Sequence, residues 1–237
     1  MISKLPRWVW FGGAVLALIA GMVNAVGFLG FQHQGVTHLT GTTTLLGVAV
    51  ANGNRSEVWH LAAIVGSFLA GAVLGGFLIQ DGELKLGRRY GMGLLVESAL
   101  LVIAVPLLSR QMILGDYLAS CACGLQNGMV STYSGAVLRT THVTGIFTDL
   151  GIFIGQIIRG IPVDRRRIFL GILLILSFFG GGVAGSIAFH SFSYGALYLP
   201  AALTGVVGFA YTLYRHLHRS IPAERERSTV PAAGEEL

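Results

Sequence analysis

Two carboxylates, Glu97 and Asp149, stand in otherwise apolar sequence, in LLVESALL and IFTDLGIF. An ionised carboxylate in hydrocarbon is costly, so each should face a bundle interior or a cavity, where it can accept a proton or hold a cation. Asp116 lies nearer a loop and is set aside. His38 and His142 occupy matching places in THLTG and THVTG. Imidazole exchanges a proton near neutral pH and could couple transport to a proton gradient; at a water interface it would be structural. Thr40 with Gly41 and Thr144 with Gly145 have the residue types of a helix start, where a hydroxyl caps unpaired N–H groups and glycine admits a second backbone. A helix beginning inside a bilayer carries roughly half a positive charge at that end, so two such starts could hold a solute or its carboxylate. Asn24 and Asn127, with Gln126, Ser131, Thr132 and Tyr133, make two long helices polar on part of their surface. Such groups either pair across helices or bind substrate by hydrogen bonds.

The chain that must position these groups has 237 residues, 53% hydrophobic and 11% charged, with a mean hydropathy of +0.70. Soluble domains are about 25% charged, so this composition excludes an ordinary soluble domain, and its hydrophobicity excludes a disordered chain. The net charge of +5 comes from basic residues in the gaps between apolar segments, which points to topology and away from nucleic acid. Cys121 and Cys123 are the only cysteines and, at i and i+2, suit neither a disulfide nor a zinc site. No Walker loop, nucleophile elbow, HExxH or dinucleotide fingerprint occurs, and the residues call for no metal or cofactor.

Six uncharged or nearly uncharged stretches have spanning length: Trp8 to Phe31, Val58 to Gln80, Tyr90 to Leu108, Gln111 to Leu138, Ile168 to Phe189 and Tyr194 to Tyr214. The first lacks a cleavage site and is a retained helix, not a signal peptide. Two shorter stretches, Gly41 to Asn52 and Gly145 to Ile158, would reach only about 20 Å as helices. The chain is also duplicated. THLTGTTTLLGVAV from Thr37 and THVTGIFTDLGIFI from Thr141 are identical at seven of fourteen positions without a gap, including Thr44 against Thr148. Gly21 and Asn24 recur as Gly124 and Asn127, and GSFLAG from Gly66 echoes GGGVAG from Gly180. The halves are residues 1–108 and 109–219, with a polar cytoplasmic tail at 220–237 that is expected to be disordered.

The expected fold is therefore an all-α integral membrane protein with about six transmembrane helices, two short THxTG half-helices and an internal inverted repeat. The alternative is eight spans in a parallel repeat. Charge favours the first: six spans place fourteen Lys and Arg residues on the cytoplasmic side and only Arg55 and Arg110 outside, whereas eight give twelve to four. Both termini are then cytoplasmic. Small residues at Gly66, Ala70, Gly71 and Gly75, and at Gly181, Ala184 and Gly185, offer close packing within the fold or a homo-oligomer.

The early Gly-x-x-Asn, the duplicated THLTG and THVTG with Thr44 and Asp149 following, and RTTHVTG from Arg139 resemble the YoaK family of bacterial membrane proteins. The likeness covers nearly the whole chain apart from the tail. It implies an inner-membrane protein of about six spans and carries no activity with it. From the residues, the leading expectation is a small secondary transporter of a solute or ion. Its midplane site draws on Asn24, Thr37, His38, Thr40, Gly41, Thr44, Asn127, Thr141, His142, Thr144, Gly145 and Thr148, and it is coupled through Asp149 and Glu97. A membrane-embedded enzyme using His142 with Asp149, and a channel or structural membrane partner, are the competing readings.

Overall fold

The computed structural model describes residues 7–30, 35–79, 88–135 and 138–217. Lys4, Lys85, Arg219 and the tail, all counted among the fourteen cytoplasmic basic residues, lie outside them. Eight α-helices are present among the described residues: α1 (Arg7–Leu29), α2 (Leu39–Ala51), α3 (Arg55–Leu78), α4 (Arg88–Ser109), α5 (Leu114–Tyr133), α6 (Val143–Ile158), α7 (Arg165–Phe192) and α8 (Tyr198–Leu217), with a 3-10 turn at Ser193–Leu197. The short elements α2 and α6 have 13 and 16 residues. Each ends on a glycine in the left-handed region, Gly53 at φ 68° and Gly160 at φ 73°. A cap for the next long helix follows, since Asn54 accepts from the Glu57 N–H and Asp164 from the Arg166 N–H.

Among the described residues, four stretches are long and apolar enough to cross a membrane: Val9–Leu29, Arg55–Leu78, Arg89–Ser109 and Arg165–Tyr214. The last contains both α7 and α8, separated where Ser193 takes φ 50°. The segment expected at Gln111 to Leu138 forms α5, yet it is not among the four. It is the most deeply placed helix, with Ser120 and Gln126 buried among its apolar residues. Meanwhile Trp59, Phe77, Phe179 and Phe192 are exposed, as on a surface whose solvent is lipid.

Glycines set the tightest seams. A Cβ on Gly71 would collide with the Cys121 carbonyl, and one on Gly75 would lie 2.7 Å from the Leu125 carbonyl oxygen. On the other side, Gly181 meets the Leu18 carbonyl, and a Cβ on Gly185 would lie 2.7 Å from that of Met22. These pairs make α3 parallel to α5, and α1 parallel to α7. They also relate Gly71 to Gly181, a register four residues away from the expected echo of GSFLAG and GGGVAG. Helix α4 runs against α8, where Ser98 donates to the Ala201 carbonyl at 2.7 Å. It also runs against α5, where Leu108 packs on Gly115. The first half of α1 shares a cavity with Val130 and Tyr133 at the end of α5, and Val23 and Val26 cluster with Ala119 and Ala122 near its start, so α1 and α5 are antiparallel. Thus α1, α4 and α7 run one way, and α3, α5 and α8 the other.

Gly71→Ala should force α3 off α5, because the obstructing atoms are backbone; it should cost about 1–3 kcal/mol and lower the unfolding temperature of the purified protein. Gly66, with open space around it, should accept alanine within about 0.5 kcal/mol in the same thermal melt.

Candidate functional site

The two THxTG segments enter the bundle from opposite ends. After α1 the chain turns back, and the His38 ring comes to 5.4 Å from the ring of Phe178, near the middle of α7. After α5 it turns back again, and Val143 at the start of α6 borders the same stretch of α7, lining a groove with Phe178 and Gly182. Helix α2 then runs out to the end where α3 starts, and α6 to the opposite end where α7 starts.

Asparagines hold both returns in place. Asn24 Oδ1 accepts from the Thr37 hydroxyl at 2.7 Å and from the Thr37 N–H at 3.4 Å, with both residues buried. Asn127 Oδ1 accepts from the Thr141 hydroxyl at 3.0 Å and the Thr140 hydroxyl at 3.4 Å. Neighbouring Gln126 accepts from Thr140 and donates to the Leu16 carbonyl, tying this return to α1. Chain that leaves a helix at this depth must satisfy its polar groups within the protein, and the amide side chains of α1 and α5 do so.

Thr40 and Thr144 are not caps. The helices start earlier than expected, His38 and His142 occupy the cap positions without a side-chain cap bond, and both threonines lie within the first turn. There the Thr44 hydroxyl donates to the Thr40 carbonyl at 3.0 Å, and Thr148 to Thr144 at 3.1 Å. Gly145 makes room for the His142 ring, which a Cβ would strike. Thr40, Gly41 and Thr44, and likewise His142, Thr144, Thr148 and Asp149, are exposed on the outer sides of the half-helices. Asp149 borders a small cavity of 180 Å³ that Arg167 of α7 also lines. The fold therefore brings Asn24 to Thr37 and Asn127 to Thr141, but leaves Asp149 on the rim.

Glu97 is the carboxylate in the interior. It is 2% exposed, and its Oε2 has no hydrogen-bond partner. Asp116 lies next to the α4–α5 connection, as expected, yet it too is buried, at 7%, with Oδ2 unpartnered, because the first turn of α5 is tucked under the end of α4 at Gly115. Beside it Tyr117 bonds His60 Nδ1 at 3.2 Å. His60 and Asp116 were absent from the expected site, although both lie in stretches read as spanning, which was the available signal. Among the described residues no group of three or more His, Cys, Asp or Glu is placed to hold a metal ion.

Between α1, α4, α5 and α8, the first turns of α1 leave a cavity of 190 Å³ bordered by Gly13, Leu16, Leu94, Tyr90, Tyr133 and Tyr211. The other site geometry is peripheral; this cavity reaches into the core. Residues 12–210 match the family model described as a protein of unknown function, DUF1275. The chain belongs to the DUF1275 family. That agrees with the likeness to the YoaK family, and the match takes in both returns, both buried acids and most of the cavity wall, with Val9, Phe11 and Tyr211 just beyond its ends. No curated protein and no solved structure matches this DUF1275 chain.

Asn24→Ala removes the acceptor for a buried hydroxyl and should cost about 1–3 kcal/mol. Limited proteolysis of the purified protein should then cut first between α1 and α2, whereas Asn127→Ala should expose the segment between α5 and α6.

Proposed function

We propose that this DUF1275 protein is a secondary transporter of the bacterial inner membrane for a small solute or ion. In this reading α1, α3, α4, α5, α7 and α8 cross the bilayer, while α2 and α6 are re-entrant half-helices. Residues 1–108 and 109–219 are its two inverted halves, and both termini are cytoplasmic. The observation that carries the reading is a constant numerical relation between the glycine seams. Positions 68, 71 and 75 of α3 and their mates 178, 181 and 185 of α7 differ by 110 throughout, and positions 18, 21 and 22 of α1 differ from 121, 124 and 125 of α5 by 103. The related helices run in opposite directions, which is the arrangement of inverted-repeat transporters.

The two halves are not in the same state. Helices α4 and α5 pack closely, with Leu101, Ala104 and Leu108 against Ala119 and Ala122, whereas their counterparts α8 and α1 are parted by the 190 Å³ cavity. The gap lies at the start of α1, the end that the positive-inside rule assigns to the cytoplasm. Exchanging the two arrangements would close this gap and open its mate at the far end, which is alternating access by rocking of one repeat against the other. Glu97, buried above the cavity, is the coupling group, with Asp149, His38 and His142 at the half-helices as further proton or cation acceptors. The two returns, with Asn24 and Thr37 in one and Asn127 and Thr141 in the other, border the path of the solute, while Thr40, Gly41, Thr44, Thr144 and Thr148, exposed on the outer sides of the half-helices, lie off it.

Sidedness tests the arrangement. In a Cys121→Ala, Cys123→Ala background, Ser56→Cys and Ile161→Cys report the ends of the two half-helix hairpins. Inverted halves predict that an impermeant thiol reagent on intact cells labels position 56 and leaves 161 unlabelled. Eight parallel spans would put both positions in the cytoplasm and leave both unlabelled, which would sink the transporter mechanism described here.

A further inference from the structure

Three tyrosines from three helices meet at the cavity between α1 and α8. Tyr90 of α4 stands between Tyr133 of α5 and Tyr211 of α8, with ring centroids 5.8 and 5.9 Å away and the rings inclined at 58° and 74°. The three rings belong to one end of the bundle, where aromatic belts meet lipid headgroups. A belt does not account for them, because Tyr133 is only 4% exposed and faces the cavity alongside buried Leu16 and Leu94. One turn further into the bundle on α4, about 4.5 Å along the axis, stands Glu97 with its unpartnered oxygen. At the other end the cavity borders Phe11, which is 73% exposed, so it communicates with the outside of the bundle.

We propose that this cavity is a binding site for an organic cation with apolar substituents, held by the three phenol rings and by the counter-charge of Glu97. The assignment rests on the transporter reading, for which it names the substrate class. Aromatic faces carry negative potential, and a cation within about 6 Å of a ring centroid is attracted by it, most strongly when desolvated. The remaining wall is apolar, aliphatic apart from Phe11 at the mouth, and so offers a sugar or amino acid too few hydrogen-bond partners to replace its water. A neutral apolar solute gains little, since the surrounding lipid is as apolar as the wall. An anion would meet the rings and Glu97 with the wrong sign. Only a cation carrying apolar groups gains from rings, aliphatic wall and carboxylate together, and a buried carboxylate in turn gains the counter-charge it needs.

The test uses the full chain in lipid nanodiscs, titrated calorimetrically with benzyltrimethylammonium. Its uncharged carbon isostere, neopentylbenzene, and the anion benzenesulfonate serve as competitors. Saturable binding of the cation is expected, with neither competitor displacing it. Glu97→Gln should weaken binding at least tenfold and Tyr211→Ala about thirtyfold, whereas Tyr211→Phe, which keeps the ring, should retain it. Binding that never saturates, equal competition by the carbon isostere, or full affinity in Tyr211→Ala would overturn the assignment. The tyrosine pair decides the matter even if the Glu97 variant fails to fold. Binding needs no gradient, so its loss leaves the sidedness result standing, while binding without gradient-driven uptake into vesicles keeps the site and removes the transporter.

Discussion

Backbone-to-backbone approach at glycine is the constraint on which the architecture depends. In lipid, helices gain nothing by hiding apolar side chains from one another, so close packing and hydrogen bonds must hold them together. At Gly71 and Gly75 on one side, and at Gly181 and Gly185 on the other, the missing Cβ lets a carbonyl of the neighbouring helix sit where a side chain would be. The reciprocal contacts use Gly124 against Phe68 and Gly21 against Phe178. Two parallel pairs, α3 with α5 and α1 with α7, are thereby locked, and each pair takes one helix from either half of the chain. Neither half can bury its own first and second long helices without the other.

The interlocking explains why polar groups concentrate on α5. Placed at the centre, α5 is shielded from lipid and can carry Ser120, Gln126 and Asn127, each bonded to a carbonyl or hydroxyl nearby. Those groups in turn hold the return of the chain toward α6. Its counterpart α1 holds the return toward α2 through Asn24, which bonds Thr37. The half-helices themselves are lightly held: α6 has a partly exposed surface along its whole length, and α2 buries only Thr42 and Ala49. The half-helices, which carry the duplicated motif, are thus the least buried helices of the bundle.

The sequence was informative to unequal degrees about the candidate site. The matched Asn24 and Asn127 stood out because the repeat preserved them, and both proved to be the anchors of the returns. The Thr-Gly pairs were misjudged as caps because a helix start inside a bundle is set by where the chain is tied back, here at Thr37 and at Thr140 with Thr141, and not by the preference of the next residue. Glu97 and Asp149 looked alike, each a carboxylate in apolar sequence. The fold separates them: α4 is sandwiched between α5 and α8, whereas among the described residues α6 packs along α7, so one acid is interior and the other on the rim.

Sequence by itself determined the helical class, the approximate lengths of the long and short segments, and the recurrence of THxTG, because each is written in local hydropathy or in residue identity along one chain. Tertiary structure alone decided the register of the glycine seams, the burial of Asp116 and the meeting of Tyr90, Tyr133 and Tyr211 around one cavity. Those features depend on which faces of distant helices come together, and a carbonyl facing a glycine from the other half of the chain leaves no mark in the residues on either side of it.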